Sequence, residues 1–420
     1  MDTITYGITG TLLGKAFFDD GADVGAASLR PASENGRDKP APTLRGPAPA
    51  PPAPTSRGAT SSRVAIWAAT LGAIAPDSDS LFEVFSNNDL AIIEQHRGFT
   101  HSFLFLPLFA LVLAAVTHWL ARRRNWASPS LARLWLAYEV GLACHIVLDL
   151  ITSFGKMIWS QLSNVRAAWD ITFIIDFTFT AIVLVPQVAA WAYRKRAGNF
   201  TRRVLAWTLL CIAAVGVERL TRAAGVPFSP WVIVVVALVL SAIFFLAARH
   251  AWGFGVSRAA WCRAGVVVLV LYLGLSFVVH RVALARVQDF AASRNLQVEN
   301  LGALPLPPSV LRWNGLIRTP NGVYQAWFSL LDSKPPAFRL FADSPANPHT
   351  KAARALPSVQ RYLWFARFPL ITYRQENGHN VVDFTDLRFF ARRGQTALGF
   401  TFRVTMDSEG HVLKQGWLED

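Results

Sequence analysis

The sequence predicts a mainly α-helical, polytopic membrane protein with about six to eight membrane helices and a small α+β extramembrane domain at its C-terminal end. Of its 420 residues, 52% are hydrophobic and only 16% are charged, well below the charged content of soluble proteins. The mean hydropathy is +0.31, which a single span would not produce in so long a chain. From about residue 288 onward the sequence becomes polar and rich in turn signals.

Apolar segments follow one another along the first two thirds of the chain. Short helices are predicted at 4–18 and at 64–75, the second ending at Pro76. Between them, residues 21–62 are rich in Pro, Ala, Gly and Ser, and we expect a disordered linker because this composition buries too little apolar surface to fold. Further spans are predicted at 101–121, 131–153, 169–193, 204–220, 230–248 and 264–284.

These patterns divide the chain into five parts. They are an N-terminal membrane helix at 1–20, the linker at 21–62, a membrane domain with the candidate site at 63–200, additional transmembrane helices at 201–287, and an extramembrane domain at 288–420. The runs VVDFTDLRFF and ALGFTFRVT in the last part alternate apolar and polar residues, which predicts strands.

The formal net charge of +14 does not indicate a nucleic-acid partner. The basic residues cluster where spans end, as at Arg122 and Arg194, and such clusters select the cytoplasmic side of a membrane. We therefore expect no binding to nucleic acid, and the C-terminal domain is predicted outside the cytoplasm.

The segment APDSD carries the first candidate metal ligands. Asp77 and Asp79 follow Pro76, and a spacing of two in an extended turn directs both carboxylates to one side. Paired carboxylates offer hard oxygen ligands to a divalent ion. An Asx-type turn or a solvated loop would explain the same residues without a metal.

The segment QHRGFTHS supplies two imidazoles. On one continuous helix His96 and His101 would lie on different faces, so we expect His96 in a loop and Thr100 capping a helix that begins near His101. Arg97 is predicted to bind an anionic substrate and to act in catalysis, and Thr100 and Ser102 to bind substrate. Interfacial histidines without any ligand are the alternative.

The segment CHIVLDLITSFG places His145 and Asp149 four residues apart. On a helix this spacing brings both side chains to one face, one turn from each other. Ionisable residues inside an apolar span are costly and usually face a polar cavity or a partner. A His–Asp pair that satisfies itself by hydrogen bonding is the alternative.

The orientation derived from Arg and Lys alone brings all three segments to one membrane face. The candidate metal ligands are then Asp77, Asp79, His96, His101, His145 and Asp149, and Asp149 is also a candidate catalytic residue. Mixed imidazole and carboxylate ligation suits zinc, with manganese or iron as alternatives. Such an ion would activate water to cleave an ester or phosphoester.

Together with the N-terminal MDTITYGITG, these three motifs resemble the bacterial inner-membrane, LexA-regulated, metal-dependent hydrolase family, over about residues 1–20 and 63–195. The element HRGFTHS is the most specific part. The resemblance implies a multi-pass hydrolase of the bacterial inner membrane that binds metal at the six positions above. The family usually carries a histidine in the first helix where this sequence has Tyr6, which implies weaker binding of one metal or an altered activity.

We therefore expect an enzyme that hydrolyses an ester or phosphoester. Because the site opens at the surface of the bilayer, we expect its substrate to be a lipid or envelope component. Two other functions stay open. An ion-coupled transporter would need ionisable residues through the full depth of the membrane, and the cluster lies at one face only. A non-catalytic envelope protein with a structural metal site would account for Tyr6.

Overall fold

A computed structural model describes most of the chain. The described residues are 1–20, 56–79, 90, 93, 99–157, 159, 162, 163, 165–194, 199–223, 229, 231–246, 248, 253, 256–307, 310–389 and 400–418. Residues 21–55 of the expected linker lie outside these ranges. The predicted site residues His96 and Arg97 also lie outside them.

The described part of the chain begins with helices and ends with two sheets. The helices are α1 (Thr3–Phe17), α2 (Ser56–Gly72), α3 (Leu106–Arg123), α4 (Leu131–Leu150), α5 (Phe177–Ala192), α6 (Asn199–Ala223), α7 (Trp231–Ser241), α8 (Arg258–Ser293), α9 (Pro348–Ala355) and α10 (Pro357–Phe365). α2 begins inside the segment expected to be a linker, and α3 begins five residues after His101, near which we expected its first turn.

Four helices within the described ranges are long and apolar enough to cross a membrane, namely α3, α4, α6 and α8. The sequence predicted six to eight. The difference arises because α1, α5 and α7 have 15, 16 and 11 residues. At 1.5 Å per residue these helices are at most about 24 Å long, even when the π turn that continues α7 to Leu246 is included, whereas α3, the shortest of the four, is about 27 Å long.

α1 lies at the centre of the helix bundle, where it packs against α2, α4, α5 and α8. A Cβ at Gly10 would lie 2.7 Å from the carbonyl oxygen of Ala69, and one at Gly14 would lie 3.1 Å from that of Ile66. The two glycines therefore let α1 approach the backbone of α2, as small residues commonly do between membrane helices.

The C-terminal part forms two four-stranded antiparallel sheets, ordered β1-β2-β3-β4 and β5-β6-β7-β8. The strands are β1 (Asn300–Pro305), β2 (Arg312–Thr319), β3 (Gly322–Ser329), β4 (Arg339–Ala342), β5 (Pro369–Glu376), β6 (His379–Asp386), β7 (Thr401–Met406) and β8 (Val412–Trp417). β6 and β7 contain the two alternating runs, so the prediction of strands there is confirmed. The short helices α9 and α10 pack on the second sheet.

α8 connects the membrane helices to these sheets. Its 36 residues span about 54 Å at 1.5 Å per residue, well beyond the predicted span at 264–284. The last turns of α8 bury Ala283 and Val287 against Trp313 and Ile317 of β2. The first sheet is therefore packed on the end of a membrane helix, not attached through a linker.

Candidate metal centre

The site lies at the end of the bundle where α1 begins and α4 ends. α2 leads into a 3₁₀ turn, Ala75–Asp79, and a second 3₁₀ turn, Phe99–His101, precedes α3. α4 contributes His145 and Asp149 from its last two turns. The two aspartates of the first turn thus lie in a 3₁₀ turn and not in the extended turn that we expected.

Close backbone contact between α2 and α4 builds one side of the site. A Cβ at Gly141 of α4 would lie 2.3 Å from the carbonyl oxygen of Ala69, so only glycine fits here without a shift. Directly after α2, the carbonyl oxygen of Ala73 accepts a hydrogen bond of 2.8 Å from Nδ1 of His145. The helix contact therefore positions a histidine of the site directly.

Three side chains bring their ligand atoms together. Nε2 of His101 lies 3.1 Å from Nε2 of His145. Oδ1 of Asp77 lies 3.4 Å from Nε2 of His145 and 3.9 Å from Nε2 of His101. A tetrahedral ion with bonds of about 2.0–2.1 Å has ligand atoms about 3.4 Å apart. Asp77, His101 and His145 can therefore hold one metal ion.

The second nitrogen of each imidazole faces an acceptor, which leaves Nε2 to the site. Ala73 can only accept, so Nδ1 of His145 carries the proton. Nδ1 of His101 lies 3.3 Å from Oδ2 of Asp79, which also accepts from the hydroxyl of Thr100 at 2.9 Å. Acceptors of this kind fix the tautomer of ligating histidines and raise their basicity.

This arrangement leaves two lone pairs facing each other. Nε2 of His101 and Nε2 of His145 are 3.1 Å apart and both side chains are fully buried. With both protons on Nδ1, neither Nε2 can donate to the other. A cation between them would relieve the repulsion, and the donor set therefore fits a divalent metal.

The charge states at the site also suit a metal ion. Burial holds the pKa of His101 well below its ordinary value, so the ring stays neutral. The hydroxyl of Thr3 donates a hydrogen bond of 3.0 Å to Oδ2 of Asp77, which favours the ionised carboxylate. A neutral imidazole and an ionised carboxylate are the forms that bind metal.

Asp149 lies beside the three ligands and is contacted from several directions. Oδ1 accepts from the Met1 amino group at 2.9 Å and from the Tyr6 hydroxyl. Oδ2 contacts the ammonium group of Lys156 and lies 3.3 Å from Nε2 of His145. The ring of Tyr6 also lies on His145, with centroids 3.9 Å apart. Tyr6 thus lies in the site, at the position where the resemblance implies a histidine.

The C-terminal domain contacts the segment that follows α4. Arg367 forms two hydrogen bonds of 2.9 Å with the carboxylate of Asp170. Arg388 donates to the carbonyl oxygens of Ser153 and Phe154 at 3.0 and 3.1 Å. The second sheet is therefore attached beside the site, only a few residues beyond Asp149.

Comparisons with known proteins place the site within a matched region. Residues 46–225 match the model of the YdjM inner membrane protein family. The chain is 32% identical over 123 residues to the inner membrane protein YbcI of Escherichia coli, and this match covers 27% of the chain and 65% of the relative. It is 26% identical over 136 residues to the uncharacterized protein YfhP of Bacillus subtilis, covering 32% and 38%.

These matches identify a membrane protein similar to bacterial inner membrane proteins. The chain spans less than two thirds of the length of both curated relatives. No solved structure matches it. The names of the family and of YbcI specify a location and no reaction, so hydrolase activity and regulation by LexA stay predictions.

The structure brings together most of the residues predicted for the site. Within it lie Asp77, Asp79, Thr100, His101, His145 and Asp149. Ser102 is fully buried next to His101. The hydroxyl of Thr100 bonds Asp79 and does not cap α3, whose N-cap is Phe105. The roles predicted for His96 and Arg97 concern residues outside those described.

Sequence reasoning missed Lys156. Its side chain is fully buried and its ammonium group contacts Asp149. A lysine seven residues after an intramembrane aspartate, directly behind Gly155, was the available signal. No periodicity relates the two positions, because the chain leaves the helix between them.

Proposed function

We propose that this protein is a membrane-bound, metal-dependent hydrolase of an ester or phosphoester. The observation that carries the proposal is the convergence of Asp77 Oδ1, His101 Nε2 and His145 Nε2 within 4.8 Å of one another. Three protein ligands with a further open position are typical of catalytic zinc sites, whereas structural sites have four protein ligands.

Some residues of the chain would bind the ion, and others would orient the histidines that bind it. Asp77, His101 and His145 would hold the ion, which when bound supplies an activated water and polarises the scissile ester or phosphoryl group. Asp79 would orient His101, and the carbonyl oxygen of Ala73 would orient His145. Zinc suits this donor set best, and manganese or iron would also fit it.

A groove beside the site supports a lipid or envelope component as the substrate. Asp77, Thr3, Leu71, Ile74 and Tyr138 line a groove of about 500 Å³ on the side of the helix bundle. The side chain of Asp77 is 18% exposed, whereas those of the two histidines are fully buried. An amphipathic substrate would therefore reach the ion from the bilayer, past the apolar wall of the groove.

The orientation in the membrane follows from the opposite end of the bundle. Arg122, Arg123 and Arg124 end α3 there, and Arg258 and Arg263 begin α8. The positive-inside rule assigns that end to the cytoplasm. The metal centre and the C-terminal domain would then face the outside of the inner membrane.

A structural metal site in a non-catalytic envelope protein is a second candidate function. The observation in its favour is the contact of Tyr6 with Asp149, because this phenol fills space beside the ligands where a substrate or a further ligand could bind. This function requires a tightly held ion and no turnover.

Metal content and hydrolysis can be measured together on the detergent-purified full chain. Elemental mass spectrometry should find a divalent metal in the wild type and none above background in the His101→Ala, His145→Ala double variant. Hydrolysis of bis(p-nitrophenyl) phosphate or p-nitrophenyl butyrate should fall at least about 100-fold, since loss of an outer contact alone costs roughly 10–100-fold.

His411→Ala is the matched control, because its imidazole is 73% exposed in the C-terminal domain. The control should keep both metal and activity. Metal without turnover of either ester would favour the structural function. No metal in the wild type after incubation with zinc, manganese or iron would refute the hydrolase proposal.

A further inference from the structure

The segment after α4 carries a buried lysine into the metal centre. The Lys156 side chain is fully buried and its ammonium group contacts Oδ2 of Asp149. Lys156 is held at the backbone by a pair of hydrogen bonds with Ala167, of 2.8 and 2.7 Å. Gly155, directly before it, has a φ of +85°, a conformation that favours glycine.

Two arginine side chains fix the same segment, Arg388 from the C-terminal domain and Arg166 from the loop itself. Arg388 donates to the carbonyl oxygens of Ser153 and Phe154, and Arg166 donates to that of Gly155 at 2.9 Å. The guanidinium of Arg166 also lies 4.9 Å from the ring centroid of Phe365 in α10. The position of Lys156 is therefore set by the fold on both sides of the site.

Both oxygens of Asp149 are engaged by donors other than a metal. Oδ1 accepts from Tyr6 and from the Met1 amino group, and Oδ2 contacts Lys156. Oδ2 lies 3.3 Å from Nε2 of His145, close enough to be a metal ligand if the lysine were elsewhere. The ammonium group thus occupies the side of Asp149 on which a second ion would bind.

Charge balance favours the same conclusion. The centre gathers three carboxylates, those of Asp77, Asp79 and Asp149, and all three lie in or at the edge of a buried region. Among the described residues, the ammonium groups of Lys156 and Met1 together with one divalent ion already supply four positive charges against these three negative ones. A second divalent ion would leave an excess of buried positive charge, which is strongly unfavourable.

We infer that the centre takes one metal ion and that Lys156, held on Asp149, supplies the second cation. The ion is bound by Asp77, His101 and His145, and Asp149 is a positioning residue for Lys156 and not a ligand. This inference rests on the proposed metal-dependent function and specifies the number of ions. It also changes the role predicted for Asp149 from the sequence.

Metal stoichiometry tests the inference without any assay of activity. The detergent-purified full chain is equilibrated with zinc, freed of loose ions and analysed for zinc and for protein by amino-acid analysis. We expect one zinc per chain in the wild type. The Asp149→Asn, Lys156→Met double variant, which replaces the ion pair by neutral side chains of similar size, should still hold one zinc.

Asp77→Asn is the matched control, because it removes one carboxylate that the inference assigns as a ligand. Its zinc should fall to background. Two zinc ions per chain in the wild type would overturn the inference and leave the proposed function intact. A double variant that folds but loses zinc as completely as Asp77→Asn would also overturn the inference. Its folding is judged by its elution profile in size-exclusion chromatography.

The wild-type stoichiometry decides the matter if the double variant does not fold. A wild type without zinc would overturn both the inference and the proposed function. The two failures can be told apart. Two bound zinc ions would refute the inference alone, because the hydrolase proposal does not specify how many ions bind.

Discussion

The carboxylates at the two ends of the helix bundle have different partners. At the basic end, where α1 ends and α4 and α8 begin, each aspartate has an arginine of its own. Asp19 accepts from Arg258 at 2.5 Å, and Asp20 accepts from Arg133 at 2.7 Å. The chain itself balances the charge there.

At the metal-centre end, the carboxylates face imidazoles in place of arginines. Asp77 and Asp79 lie against His101 and His145, and the burial that keeps His101 neutral removes a source of positive charge. Burying carboxylates beside neutral rings is unfavourable unless a cation joins them. The comparison supports the proposal that the metal-centre end binds a cation, because arginines face Asp19 and Asp20 at the basic end whereas Asp77 and Asp79 lie against histidines.

The largest loss in the free energy of unfolding is expected where the metal-centre end meets the C-terminal domain. Arg367→Ala leaves the carboxylate of Asp170, whose side chain is 7% exposed, without its two hydrogen bonds. Breaking a buried ion pair costs about 3–5 kcal/mol. Guanidinium titration in detergent, followed by tryptophan fluorescence, should show this loss in the free energy of unfolding.

Asp170→Ala, Arg367→Ala supplies the control for that measurement. Removing both partners leaves no uncompensated charge, so the double variant should be more stable than the sum of the two single losses implies. Strict additivity would show that the pair does not couple the C-terminal domain to the loop beside the metal centre.

A smaller effect is expected inside the membrane domain. Gly141→Ala would place a Cβ 2.3 Å from the carbonyl oxygen of Ala69, and forcing extra volume into such a contact costs about 1–3 kcal/mol. The same substitution should weaken metal binding, because α2 leads directly into Ala73, whose carbonyl orients His145. Thermal unfolding with and without zinc measures both effects.

Gly274→Ala is the matched control for this helix contact. Nothing lies within 4 Å of a Cβ at Gly274 in α8, so alanine should be neutral or stabilise by up to about 1 kcal/mol through helix propensity. Equal losses at both glycines would mean that the contact of α2 with α4 is not what holds the metal-centre end together.

Local pattern was enough to predict the membrane helices as a class, the strands β6 and β7, and the three segments that meet at the metal centre. His145 and Asp149 share a helix face because a spacing of four does so in any helix. The convergence of those segments followed from the charge at span ends. Both inferences depend on short-range or compositional signals.

The rest depends on contacts between positions far apart in the chain. Tyr6 meets Asp149 across 143 residues, and Arg367 meets Asp170 across 197. No spacing rule relates such pairs, so the engagement of Asp149 and the docking of the second sheet could not be predicted. The described ranges hold fewer membrane-length helices than predicted, because apolar composition does not by itself give the length of a helix.

The smallest effect is expected at the basic end. The hydrogen bond from Arg133 holds the pKa of Asp20 below its ordinary value, and the Asp20 side chain is 49% exposed. The pair therefore stabilises the folded state at neutral pH, and this contribution is lost as the pH falls through the lowered pKa. Asp20→Asn should cost less than about 1 kcal/mol at pH 7 and become neutral in acid. A loss as large as that of Arg367→Ala would mean that the pairs at the two ends carry equal weight.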